Sequence, residues 1–162
     1  MPNDGRPNGP LSEAAFHKGG TVVCITNQQA IAAWEVLAVL VKVRRPMMGA
    51  QKMRRIVRAL MTQVGDYEPQ RVELLARHGA KDDEGNQKVE NGQVVFSDDA
   101  ARAAFAQDFA ELLLVTGENF ETLTPKDFGP LGADGTDWLH EEQAPTPEQM
   151  VALGDLFPDV VG

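Results

Sequence analysis

One cysteine, Cys24, stands in 162 residues. A single thiol cannot close a disulfide within the chain or build a Cys-based zinc knuckle, and it fits a reducing compartment. Flanked by Val22, Val23 and Ile25, it reads as a small buried apolar residue. Aromatics are scarce at 6%, which leaves Leu, Val, Ile, Ala and Met to build the core and suits packed helices better than a β-sandwich. Long apolar runs are missing too. The richest stretch, residues 30–43, carries Glu35 and Lys42 and is too short to span a bilayer, so no membrane association is expected. The opening Met1-Pro2-Asn3-Asp4-Gly5 lacks a basic region followed by an apolar one, so the chain is not expected to be secreted by a signal of its own.

Signatures of chemistry are equally sparse. His17, His78 and His140 lie in separate segments, and no HExxH occurs, so helical metal-ligand spacing is missing. His140-Glu141-Glu142 offers nitrogen and oxygen donors in what reads as a polar loop. Residues 81–86 and 134–137 combine Asp with Gly, yet neither has acidic or amide residues at loop positions one, three and five and a Glu at twelve, as calcium loops require. Turns account for both. GxGxxG, GxxxxGKS/T and GxSxG are all absent, which removes the common phosphate cradles and the nucleophile elbow. No catalytic residue, metal ligand or cofactor is therefore expected, and a non-enzymatic binding or assembly role is the leading reading. An enzyme or ligand-binding protein would need a site gathered from scattered residues or formed on oligomerisation.

What is present is the composition of one folded domain: 43% apolar and 24% charged residues. Residues 1–20, rich in Pro, Gly and Asn, read as a flexible arm with one weak helical turn at 11–16. Residues 21–162 form a single helical domain. The β-branched run 21–25 predicts a strand. Thr26-Asn27-Gln28-Gln29 is a capping box that starts a helix to about Val43, burying Ile31, Trp34, Leu37, Ala38 and Val41. A longer helix follows from near Met48 to His78, with a seam of Met53, Val57, Leu60, Val64, Tyr67, Arg71 and Leu74. Pro69 should kink or break it near Gly65. Asn91-Gly92, between β-type residues, predicts a hairpin over 86–96. Ser97, with Asp98 and Asp99 behind it, caps a third helix to about Val115 that buries Ala101, Phe105, Phe109, Leu112 and Leu113. Residues 120–123 read as a second strand, free to pair with the first. Thr124-Pro125 and Thr146-Pro147-Glu148-Gln149 start further helices inside a C-terminal segment, 124–162, of loop and short helix, with Trp138 docking the loop. The fold class is mainly α with a small β component: an antiparallel helical arm carrying a β-hairpin at its tip, with short strands at its base.

Charge is the strongest lead. Residues 1–78 hold 11 Lys/Arg against 6 Asp/Glu, a net of +5, while residues 79–162 hold 4 against 18, a net of −14. Either the halves face different partners or they fold together and partly neutralise. Lys42, Arg44, Arg45, Lys52, Arg54, Arg55 and Arg58 cluster with no acidic residue among them. Steps of three and four put those on the second helix on one face, opposite Met53, Val57 and Leu60. Arg44, Arg45, Lys52, Arg54, Arg55 and Arg58 are the candidate binding face. They could meet a protein or neutralise phosphates with affinity that falls as salt rises, although the pI of about 4.7 and the lack of interleaved aromatics weigh against a nucleic-acid binder. The plainer alternative is a solvated face, or one paired with Asp98, Asp99, Asp108 and Glu111 of the third helix.

The order of elements, from the capped helix at Thr26-Asn27-Gln28-Gln29 through Leu74-Leu75, Gly79, Lys81-Asp82, Gly85 and the Asn91-Gly92 hairpin to Glu111-Leu112-Leu113, resembles a group of short tailed-bacteriophage proteins of unassigned function. The resemblance covers about residues 21–159. Pro69 and the Gly/Pro-rich N-terminal arm depart from that pattern, and no catalytic residue carries over. The resemblance implies a phage or prophage origin and a helical hairpin. A protein–protein role would then sit in the host cytoplasm or the virion, with a virion or host protein as partner and self-association possible.

Overall fold

The computed structural model describes residues 22–135 and 137–158; the arm expected over residues 1–20 lies outside the described residues. Strand β1 (Val22–Thr26) leads into helix α1 (Asn27–Leu40), then α2 (Met47–His78), β2 (Val89–Glu90), β3 (Gln93–Val94), α3 (Asp99–Leu114), β4 (Thr116–Glu121), α4 (Pro125–Phe128) and α5 (Pro147–Leu153). Single 3₁₀ turns at Glu141–Gln143 and Gly154–Leu156 complete the order. The protein is mainly helical with two small antiparallel strand pairs, β1 with β4 and β2 with β3.

Helix α1 starts where the capping box requires. Thr26 Oγ1 accepts from Gln29 N at 3.2 Å, and Gln29 Oε1 accepts from Thr26 N at 2.9 Å, so two otherwise orphaned N–H groups are met. It ends at Leu40, three residues short of the expected end, as the backbone tightens into turns ahead of Pro46. Its buried face is Asn27, Ala30, Ala33, Leu37 and Leu40, while Ile31, Trp34, Ala38 and Val41 are half-buried. The expected stripe was therefore rotated. Because α1 is apolar nearly all round, periodicity could not choose its inner side; the small side chains at 30 and 33 are the ones that pack innermost.

Helix α2 spans 32 residues, about 48 Å at 1.5 Å per residue. It buries Met53, Ile56, Leu60, Gln63 and Tyr67, while Val57 and Val64 flank them half-buried. Gly49 is required near its start, since a Cβ there would meet the Asp127 backbone carbonyl 2.0 Å away. Of the kink or short break expected near residues 65–69, the break does not occur: α2 continues through Pro69. Pro69 and Gly65 are both exposed, so the Gly65 carbonyl that loses its i+4 partner is on the solvent side, where water can replace the bond.

The base core joins β1, α1 and the first half of α2 to the C-terminal segment. Phe120, Leu123, Phe128, Leu153, Leu156 and Phe157 are all buried in it, and each contributes about 1.5–3 kcal/mol by leaving water. The acidic tail thus supplies core as well as charge. Trp138 docks its loop as expected, donating Nε1–H to the Pro125 carbonyl at 2.9 Å and lying edge-on to Phe128. The β1–β4 pairing joins Val22 to Glu121 and Val23 to Phe120; the expected strand at 120–123 instead begins at Thr116.

Beyond the base, the second half of α2 and α3 run antiparallel. His78 meets Asp108 and Phe105, while Gln70 and Leu74 lie across from Leu112 and Val115. Asp98, one residue after the expected Ser97, caps α3 by accepting from Ala101 N at 2.7 Å. Of the five residues expected to be buried on α3, only Leu112 is fully so. Asn91 and Gly92 take φ of 52° and 77° in the β2–β3 turn, the geometry that Asn-Gly favours. The tip is held by half-buried rings, Phe105 lying 5.2 Å from Phe96 and 5.5 Å from Phe109.

Candidate binding face on the second helix

The six candidate residues divide into two groups. Arg45, Lys52 and Arg55 are engaged within the fold. Arg45 Nη1 donates to the carbonyls of Phe128 (2.8 Å) and Gln143 (2.7 Å), Nε donates to Leu40 O at 3.1 Å, and the guanidinium lies over the Phe128 ring. Burial pushes its pKa below the ordinary arginine value. Lys52 Nζ lies 2.8 Å from Asp127 Oδ2, which also accepts from Thr124 N and Oγ1 at the start of α4. Arg55 pairs with Glu121 through two hydrogen bonds of 2.9 and 3.1 Å, and this bonding raises its pKa.

Helical geometry explains Lys52. A three-residue step turns about 300°, so Lys52 and Arg58 lie about 120° apart around the axis rather than on one face. Lys52 sits at the edge of the buried side, within reach of Asp127. The acidic groups that meet Lys52 and Arg55 belong to α4 and β4, not to α3; further along α2, Arg71 and Arg77 pair with Glu68 and Glu73 of the same helix, and Asp108 of α3 bonds His78 at 2.7 Å.

Arg44, Arg54 and Arg58 are exposed and have no ion pair among the described residues. Arg54 and Arg58 belong to an exposed stripe running Met47, Gln51, Arg54, Arg58, Met61, whose alternating steps of four and three hold one direction along α2, opposite Met53, Ile56 and Leu60. Met47 is 75% exposed and Met61 55%, whereas Met48, 82% exposed, lies about 100° round the axis from Met47 and off the stripe. Methionines at such positions were the part that charge counting missed. Their spacing from Arg54 and Arg58 was present in the sequence, but an apolar residue read alone on a helix is normally assigned to the core.

Cys24 departs from expectation: it is exposed, and its thiol donates to Asn119 Oδ1 at 2.9 Å. Side chains alternate along β1, so the buried Ile25 beside it takes the inner face. Among the described residues no three His, Cys, Asp or Glu side chains converge in a way that could hold a metal ion. The loop at 82–86 is closed by Asp82 Oδ1, which accepts from Glu84 N and Asn86 N. Among these residues no helix is long and apolar enough to cross a membrane. Comparison with protein-family models, curated proteins and solved structures gives no match.

Proposed function

We propose that this chain is a non-enzymatic interaction module that docks a protein partner on the exposed stripe of α2. The observation that carries the reading is the combination of Met47 and Met61, largely exposed, with Arg54 and Arg58, which have no ion-pair partner among the described residues. Methionine and arginine are enriched in protein interfaces, and the unbranched thioether adapts to irregular surfaces. A matching partner presents apolar side chains flanked by carboxylates. A nucleic-acid surface is favoured less, because half of the candidate cations already bond to other parts of the chain and two of the remainder, Arg54 and Arg58, share a stripe with methionines. Given the resemblance to short tailed-phage proteins, the proposed partner is a virion or host protein.

The test is co-purification on the tagged full chain, with and without nuclease, beside the variant Arg54→Glu/Arg58→Glu. The reading expects a partner that survives nuclease and is lost from the variant. A partner lost with nuclease transfers the face to nucleic acid. One retained equally by the folded variant removes the face from the account.

A further inference from the structure

Among the described residues, the base contains a buried hydrogen-bonding group without a partner. Cys24 pairs with Asn119 and Thr26 with Thr116, so Ile25 alone faces both Gly117 and Glu118, and the β1–β4 ladder bulges there. The Ile25 carbonyl accepts from Gln63 Nε2 of α2 at 3.1 Å. That nitrogen also donates to Asn27 Oδ1 at 3.1 Å, and Asn27 Nδ2 donates to the Leu112 carbonyl at 2.8 Å. Backbone carbonyls only accept, so the orientation of both side-chain amides is fixed. Gln63 Oε1 is thereby turned out of this relay. It is buried and unpartnered among the described residues, on a side chain whose residue is only 3% exposed. A buried acceptor left unmet is destabilising, and donation from its own NH₂ makes this oxygen a stronger acceptor.

Gly117 lies against that amide: a side chain there would begin 3.1 Å from Oε1. Gln63 and Gly117 line a 170 Å³ cleft between α2 and the start of β4, together with Asp66, Tyr67, Gln70 and Glu118. Asp66 and Glu118 are exposed, and neither has an ion pair among the described residues. The space is below the roughly 300–1,000 Å³ of pockets for drug-sized ligands, so its occupant has the size of a side-chain end. We propose that the cleft binds an N–H-bearing organic cation, the ammonium or guanidinium end of a lysine, an arginine or a free amine. Asp66 and Glu118 supply the opposing charge. Gln63 Oε1 supplies the buried acceptor, reached as Gly117 shifts outward within the bulge.

Amide NMR titration of the full chain with methylguanidinium tests this, with tetramethylammonium as a cation that has no N–H to donate. The expected result is a saturable shift at the Gln63 side-chain amide and the Gly117 N–H, absent with tetramethylammonium. In the exposed-site variant Asp66→Asn/Glu118→Gln the binding should be about tenfold weaker, or 1.4 kcal/mol by the standard conversion. A parallel titration with a blocked arginine amide separates the sources: tighter binding than methylguanidinium assigns a partner's side chain, and equal binding assigns a free small cation. Shifts that never saturate, that tetramethylammonium reproduces, or that the carboxylate variant leaves unchanged would overturn the proposal.

Discussion

At the scale of single residues, three positions have consequences that can be measured. Gly49 admits the Asp127 backbone into contact with α2, so Gly49→Ala should destabilise the protein by about 3 kcal/mol through overpacking; unchanged urea unfolding would mean that the contact gives way cheaply. Asp127 holds both Lys52 and the first turn of α4. Asp127→Ala should cost about 2–3 kcal/mol, from the lost cap and from a partly buried ammonium left alone. Tyr67 is the chain's one tyrosine, and burial pushes its phenol above the ordinary 10.0, with Arg71 pulling it down and Glu68 adding to the rise. A pKa raised on folding contributes stability that is full below the unfolded value and is lost as pH climbs through the folded one. Absorbance titration should therefore place the tyrosinate midpoint above 10.0 in the folded protein, with the contribution of Tyr67 to stability lost in that alkaline window. A midpoint at or below 10.0 would show that the ring is not desolvated.

At the scale of elements, α2 belongs to two environments. Its first half packs in the base core, whereas its second half meets α3, where Leu112 alone is fully buried. Hydrogen exchange should accordingly be slowest in α1 and residues 53–60 and faster by orders of magnitude at β2 and β3, since opening the tip exposes little apolar surface. Uniform protection would contradict that division. Pro69 interrupts the α2 ladder at an exposed site, so Pro69→Ala should stabilise by about 2 kcal/mol, most of the usual helix-interior cost of proline; calorimetry would read this as a raised melting temperature. Local signals were the most legible in the sequence. Thr26, Thr146 and Asn91-Gly92 announce themselves through backbone chemistry confined to four residues or fewer. The inner side of α1 and the true start of β4 depend on what arrives from far along the chain, and no local pattern carries that. That α2 runs unbroken through Pro69 has a related reason: the cost of proline is set by whether the freed carbonyl faces water.

At the scale of the whole molecule, the charge asymmetry is partly spent internally. Lys52 and Arg55 meet Asp127 and Glu121 across 75 and 66 residues of sequence, so part of the basic cluster is neutralised by the other half, through α4 and β4 and not through α3. The basic cluster was legible as composition, but its division into structural and exposed members was not. That division follows from a rotation of about 100° per residue along α2 and from where the C-terminal segment lands. What remains outside is a mixed Met/Arg stripe, and the central claim is that this stripe docks a protein. The most direct measurement is the binding isotherm of the nuclease-resistant partner against the chain and its Met47→Ser/Met61→Ser variant, with helicity checked by circular dichroism. The account predicts an intact fold and an affinity weaker by about tenfold or more, as expected when apolar interface anchors are removed. Equal affinity from an equally folded variant would contradict it.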